Sequence, residues 1–315
     1  MIAFGPVPSR RLGYSLGINH IPPKHCSYSC IYCQVGITNA LHIHQSEFYS
    51  IQQVFEEVKK KVEESTHFWR KIDYLTLVPD GEPTLDIHIS SLIDKLRDFH
   101  IPIAVISNGS LINRSEIQEA LLIADWVSLK VDSVNEEIWR KINRPHHKLS
   151  LPIILNGMME FRKKFQGKFV TETMFVFGVN DDDKSINDLC DFLIDLQPDK
   201  SYLAIPIRPP TEIQVEPPDT KRLKEIIRIF DKKISFFELL LGQELSDFIS
   251  TGDLALDILS ITAVHPLREE ALRRMVNNAG GNWKIVEDLL AKKEIIRVAY
   301  QNDIFYFHSY MESIT

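Results

Sequence analysis

At 315 residues, with 44% hydrophobic and 25% charged residues, the chain has the composition of a soluble globular protein with a real core, large enough for one big domain plus a small appendage. Its net charge of −7 gives no general electrostatic pull toward nucleic acid. No run reaches the roughly 18 uninterrupted apolar residues of a membrane span, and the opening MIAFGPVPSRR lacks the apolar stretch and cleavage site of a secretory signal.

In chain order, 13–21 reads as a first strand leading into a cysteine-rich loop. Residues 46–62 have helical spacing, with Phe48, Ile51, Val54, Phe55 and Val58 on one stripe. A β-rich run, 72–78, stops at Pro79-Asp80-Gly81, and a helix over 87–99 follows. The pattern then repeats: strand 101–106 stopped by Ser107-Asn108-Gly109, helix 115–123, strand 126–131, helix 151–165, strand 169–177, helix 183–196, strand 202–207 and helix 220–230. Such alternation implies an α/β protein with a parallel sheet and helices outside. A barrel and an open doubly wound sheet satisfy the periodicity equally.

From about 241 the alternation stops. Residues 254–259, 266–275 and 283–291 read as helices, and 294–300 with 304–307 as a hairpin around Gln301-Asn302-Asp303. The expected organisation is therefore a main domain over 1–240 and a winged-helix-like α+β module over 241–315. That module sets seven Lys and Arg against nine Asp and Glu over 251–315. It lacks the positive footprint of a DNA reader, so DNA is not an expected partner and docking of a peptide, a protein or the main domain is.

The chemistry is concentrated in His25-Cys26-Ser27-Tyr28-Ser29-Cys30-Ile31-Tyr32-Cys33. Three thiols on one short loop can hold three irons of a cubane cluster and leave the fourth open to a ligand. With a fourth ligand such as His25 they could instead hold zinc, although zinc sites usually come as two separated pairs. Cys190, among Leu189, Phe192 and Leu193, reads as a core thiol. Four cysteines, three of them clustered, point to a reducing compartment and a cytoplasmic location rather than to a disulfide scaffold.

The other unusual residues follow the strands, where ligands sit in parallel α/β folds. Asp80-Gly81-Glu82 follows the second strand and Ser107-Asn108 the third. Lys130 and Asp132 end the fourth, Asn180 and Asp181 follow the fifth, and Arg208 before Pro209-Pro210 follows the sixth. Ser107 and Asn108 also suit a turn and cap, and Lys130 with Asp132 an internal ion pair. Arg10 and Arg11, with His20, Lys24 and His25, form a positive patch beside the cysteine loop that suits a substrate phosphate or carboxylate.

The cysteine run, with Tyr32 before its last cysteine, resembles the CxxxCxxC signature of the radical S-adenosylmethionine (SAM) superfamily. The stretch from Phe4-Gly5-Pro6-Val7-Pro8-Ser9-Arg10-Arg11-Leu12-Gly13 to Ile21-Pro22-Pro23-Lys24 is similar to a subgroup of Fe–S oxidoreductases related to wyosine-type tRNA-modifying enzymes, whose extra cysteines are absent here. The resemblance implies a partial (β/α)6 TIM-like barrel, with Cys26, Cys30 and Cys33 holding a [4Fe–4S] cluster. It places Tyr32 and Arg208 near the SAM adenine. It also makes Asp80-Gly81-Glu82 the counterpart of a Gly-Gly-Glu motif that holds the SAM amino group, with Asp80 departing from the usual glycine. Ser107, Asn108, Lys130 and Asp132 are further candidates for SAM contact.

The implied activity is reductive cleavage of SAM to a 5′-deoxyadenosyl radical that abstracts hydrogen from an RNA nucleoside, or from a peptide or protein. The implied electron donor is of flavodoxin or ferredoxin type. A contrasting expectation is a non-enzymatic Fe–S redox sensor acting through the C-terminal module.

Overall fold

Along the central strands two sets of side chains alternate, and the alternation explains the architecture. In a computed structural model, residues 2–38, 41–67, 71–240, 253–264, 266–301 and 303–309 are described. Eight strands form one sheet: β1 (Ala3–Ser9), β2 (Gly13–Ile18), β3 (Tyr74–Leu77), β4 (Ile103–Ser107), β5 (Trp126–Lys130), β6 (Lys168–Met174), β7 (Lys200–Ala204) and β8 (Phe237–Leu239). β2 to β8 are parallel, β1 is antiparallel to β2, and spatial order equals chain order. Right-handed crossovers that all step the same way lay every helix on one face. A doubly wound sheet would reverse its order at a switch point. The sheet therefore curls as a partial barrel.

Leu75, Leu77, Ile103, Val105, Val127, Leu129, Phe169 and Leu203 pack in the helix-side core. The alternate residues Ala104, Trp126, Val170, Tyr202 and Ala204 pack in a second core on the inner face. At β2 and β3 that inner face becomes polar, where the Ser15 and Thr76 hydroxyls meet at 2.6 Å.

The covering helices are α1 (Ile51–His67), α2 (Ile89–Leu96), α3 (Ser115–Leu122), α4 (Glu136–Asn143), α5 (Leu151–Lys164), α6 (Asp183–Leu196) and α7 (Thr220–Lys233). α1 starts at Ile51 rather than 46, because the Ser50 hydroxyl accepts the Gln53 N–H and sets the start. In this sheet and its covering α-helices, three elements escaped the sequence reading: β1, β8 and α4. β1 contains Pro6 and Pro8, residues that argue against a strand but are tolerated on an edge. β8 is only three residues long, and it makes the parallel set seven strands rather than six.

His20 corrects another expectation. It is fully buried, with Nε2 3.3 Å from the Pro83 carbonyl oxygen, and burial pushes its pKa down to about 4. It is neutral at pH 7 and adds nothing to a positive patch. The unfolded chain protonates it near pH 6.5 and the folded one only near 4, so stability falls as pH drops through that window, by about 3 kcal/mol at most. Asp86, raised to about 6 by burial, acts in the opposite sense over an overlapping range. Melting wild type and His20→Gln between pH 7 and pH 4.5 isolates the histidine: the variant is expected to lose less stability on acidification.

Beyond the sheet, α8 (Leu254–Val264), α9 (Glu269–Asn278) and α10 (Lys284–Ala291) pack with a three-stranded antiparallel sheet, order β10 (Ile295–Tyr300), β11 (Asp303–His308), β9 (Leu267–Arg268). Their separate core contains Ile258, Leu272, Met275, Val286 and Leu289, the three helices and hairpin expected of a winged-helix-like unit. Val7 of β1 packs against this core, and Val35 packs against Phe305 and Phe307. The expected boundary at 241 and the turn residue Asn302 lie outside the described residues. Among the described residues no helix is long and apolar enough to cross a membrane.

Candidate active site

The cysteine loop leaves β2 and is pinned to three neighbouring loops. After β3, the Glu82 N–H donates to the His25 carbonyl and the Lys24 N–H to that of Asp80, both at 3.0 Å. A Cβ on Gly81 would lie 2.0 Å from the His25 carbonyl oxygen, so only glycine permits this approach. After β7, the Thr211 N–H and hydroxyl both donate to the Cys33 carbonyl, at 2.9 and 2.6 Å. At the end of α4, the carbonyl of Asn143 accepts from Ser29 N–H at 3.0 Å.

Each of two thiols also receives a side-chain amide. Asn108 Nδ2 lies 3.6 Å from Cys26 Sγ, and Asn143 Nδ2 lies 3.3 Å from Cys30 Sγ. Asn108 is set by its own N–H donating to Glu82 at 2.7 Å and by its amide donating to Ser27 at 2.9 Å. Asn143 also donates to Asp132 at 2.7 Å. Neither the helix that carries Asn143 nor its role was expected, although Asn135 followed by Glu136 and Glu137 is a helix-start signal. Asn135 indeed caps α4, accepting from Glu137 and Ile138.

Glu82 occupies an unexpected place. Its buried carboxylate accepts from Thr84 N–H, the Thr84 and Ser107 hydroxyls and Asn108 N–H, at 2.6 to 3.1 Å. Burial still raises its pKa. With four protein donors, this carboxylate braces the β3 and β4 loops. Asp80 is likewise tied to Asn19 at 2.8 and 3.0 Å. The Ser107 hydroxyl also accepts from Gly109 N–H at 3.0 Å.

Lys130 points to the inner face, and its ion-pair partner is not Asp132 but Glu172, at 2.9 Å, which is its register neighbour on β6. Asp132 instead accepts from the Tyr32 hydroxyl, Asn143 and the Met174 N–H. Lys130 Nζ sits 4.9 Å above the Tyr32 ring. Glu172 also pairs with Arg11, so one carboxylate serves two cations. Arg208 donates to Gln34, next to Cys33, at 2.7 Å. The Asn180 side chain bonds Val176, Met174 and Asp132 backbone groups, and Asp181 accepts from Gly178 N–H. Both brace the β6 loop. Cys190 is fully buried in the α6 face, as expected.

Do these residues fit a cluster and SAM? Burial pushes the three site thiols up, Cys30 to about 12, with Asp132 second among its causes. Such thiols are inert until a metal takes them as thiolates. Among the described residues no three His, Cys, Asp or Glu side chains gather as one ion requires, whereas a zinc centre draws its ligands to about 2.0–2.3 Å of a single point. A cluster gives each thiolate a different iron. Lys24 Nζ is buried without a hydrogen-bond partner, under the electrostatic influence of Cys33 and Asp80. A buried ammonium so placed fits a ligand carboxylate, which SAM carries. The donor set fits both groups.

Comparison with known proteins agrees. The family profile of the radical SAM superfamily matches residues 21–190. The UPF0026 protein MJ1312 of Methanocaldococcus jannaschii is 46% identical over 97% of this chain and 95% of its own length. Among solved structures, a radical SAM methyltransferase from Sphaerobacter thermophilus superposes with a TM-score of 0.54 at 13% identity, covering 74% of this chain and 69% of that one. TYW1 with a lysine-pyruvate adduct bound superposes at 0.51 and 16% identity, covering 70% and 74%. At these identities the structural likeness is one of fold.

Proposed function

Because the chain belongs to the radical SAM superfamily, whose members are enzymes that use a [4Fe–4S] cluster and SAM and draw on a reductant, we propose that it abstracts hydrogen from a nucleoside of an RNA substrate. When bound and reduced, the cluster supplies an electron that splits SAM into methionine and a 5′-deoxyadenosyl radical. Cys26, Cys30 and Cys33 are the cluster ligands, and Asn108 and Asn143 hold two of them in place and tune their basicity through hydrogen bonds. The Asp80-Gly81-Glu82 segment presents backbone to the SAM amino group, while the Glu82 carboxylate fixes Ser107 and Asn108 around it. Lys24 takes the SAM carboxylate, and Tyr32 and Arg208 border the adenine. Lys130 and Asp132 line the inner wall through Glu172, Tyr32 and Asn143.

One observation carries this reading: three thiols on one loop, two of them receiving amide donors from strand-end loops and helices that the fold alone brings together. The wyosine-type resemblance favours an RNA nucleoside over a peptide. We assign the electron supply to a flavodoxin- or ferredoxin-type donor in the cytoplasm, and the module over 241–315 to docking a partner rather than to reading DNA.

Anaerobic loading with iron and sulfide, dithionite reduction and chromatography for 5′-deoxyadenosine tests the chemistry. Product dependent on both cluster and SAM is the expected result. A reducible cluster that neither binds nor cleaves SAM would instead return the protein to a sensor. In the same assay Lys24→Met is expected to keep its cluster but bind SAM roughly tenfold or more weakly, since a charge-assisted hydrogen bond is lost. Unchanged SAM affinity would remove Lys24 from the site.

A further inference from the structure

Asp132 is a buried carboxylate held by neutral donors alone. It is 3% exposed. One of its oxygens accepts from the Met174 N–H at 2.8 Å, and the other accepts from the Tyr32 hydroxyl and from Asn143 Nδ2, the latter at 2.7 Å. Among the described residues no Lys, Arg or His comes within ion-pair distance of it, and Lys130, two positions earlier, pairs with Glu172 instead. The backbone is pinned as well, since the Asn180 amide donates to the Asp132 carbonyl at 2.8 Å. A carboxylate taken so far from water without a paired cation is costly unless the surroundings are built around it.

Two of its three donors lead to the candidate cofactor sites. The same Asn143 amide lies 3.3 Å from Cys30 Sγ and 3.3 Å from the Tyr32 hydroxyl. An amide has two N–H bonds to share among these three acceptors, and Asp132, at the shortest distance, fixes one of them. The negative charge also reaches the sulfur through space. After burial it is the next cause that raises the Cys30 pKa. A positive charge faces it from the same wall: Lys130 Nζ lies 4.9 Å from the centroid of the Tyr32 ring and interacts with Cys30 and Cys33 as well as with Asp132. With three donors already on it, the Asp132 carboxylate has its reach toward SAM through the Tyr32 ring.

Resting on the assignment of Cys30 as a cluster ligand, we propose that Asp132 is a positioning residue whose charge lowers the reduction potential of the cluster at Cys30 and whose hydrogen bond fixes the Tyr32 ring beside SAM, with Lys130 as the opposing charge. Reduction places an extra negative charge at the cluster. A neighbouring carboxylate therefore makes the reduced form less favourable, and a neighbouring ammonium makes it more favourable. Both groups are buried enough that salt screens them little. One amide and one tyrosine thus join the potential at Cys30 to the fit of SAM, across strand ends that only the fold brings together.

The test is a redox titration of the cluster-loaded full-length protein without SAM, followed by the electron paramagnetic resonance of the reduced cluster. Asp132→Asn is expected to favour reduction roughly tenfold, a rise of about 59 mV for a one-electron couple. Lys130→Met is expected to shift the potential the opposite way by a similar factor, and Glu172 keeps Arg11 as its partner in that variant. Opposite shifts from two neighbouring residues, at unchanged iron and sulfide content, are a result that loosened packing does not produce. If Asp132→Asn does not fold, the fall expected in Lys130→Met still decides the electrostatic claim. In equilibrium binding, Asp132→Asn and Tyr32→Phe should each weaken SAM roughly fivefold, the loss of one hydrogen bond, while Tyr32→Phe leaves the potential unraised. Unchanged potentials in both charge variants, or shifts of the same sign, would overturn the proposal. SAM cleavage is measured on the same wild-type preparation. Cleavage with unmoved potentials removes the role of Asp132 alone, whereas opposed shifts without cleavage remove the radical chemistry and leave the electrostatic control standing.

Discussion

A Cys30→Ala protein is expected to fold and remain soluble yet to hold no functional cluster and form no 5′-deoxyadenosine. Cys30 is only partly buried, and removing its sulfur takes little from the packed core around it. The chemistry, by contrast, disappears altogether. Two thiolates cannot replace three, and no further cysteine is at hand, because Cys190 is buried on α6. The amide of Asn143 keeps Asp132 as a partner when the sulfur is gone, so the variant leaves no stranded buried donor. Iron and sulfide content, the visible absorption of the loaded protein and SAM cleavage are the readouts, beside a thermal melt of both proteins without cluster. Wild-type SAM cleavage by Cys30→Ala would refute the assignment of the cysteine loop. A large drop in the melting temperature without cluster would mean that Cys30 is a packing residue as well.

Much of this candidate site is legible in the sequence, for definite physical reasons. The cysteines are local, nine residues from His25 to Cys33, so their spacing alone announces metal chemistry. The strands are legible because parallel strands covered on both faces are apolar throughout, and their ends mark where polar residues must gather. What stayed hidden depends on long-range register. Asn143 meets Cys30 across 113 residues of chain, and no periodicity links the two. Glu172 looks like one polar residue in a β-rich run. Only the pairing of Lys130 with Glu172 across β5 and β6 shows that both face inward and that Lys130 is not joined to Asp132. His20 reads as part of a positive patch because it lies in the same stretch as Arg10, Arg11, Lys24 and His25, but the fold buries it and leaves it neutral. Arg10 and Arg208 lie nearly two hundred residues apart, and only the curl of the sheet places them in one cavity.

Gly81→Ala is expected to be nearly as damaging as loss of a ligand, although it removes no functional atom. The added methyl would meet the His25 carbonyl oxygen at 2.0 Å, well inside any contact a real Cβ makes. The obstacle is backbone rather than the end of a flexible side chain, so either the β3 loop or the cysteine loop must withdraw. Withdrawal strains both hydrogen bonds that join them, from Glu82 N–H to His25 and from Lys24 N–H to Asp80. Overpacking of this kind costs about 1–3 kcal/mol, a fall of roughly 2–10 °C in melting temperature for a chain of this size. The functional loss should exceed the loss of stability. Displacing the β3 loop carries Glu82 with it, and Glu82 sets Ser107 and Asn108, the latter a hydrogen-bond donor to Cys26. Disturbing the partners of metal ligands typically lowers metal affinity about 10–100-fold. Gly81→Ala should therefore retain iron poorly at a temperature where the protein is still folded. Equal iron retention and an unchanged melt would show that the two loops are not pressed together, and the bracing role of Glu82 would fall with that contact.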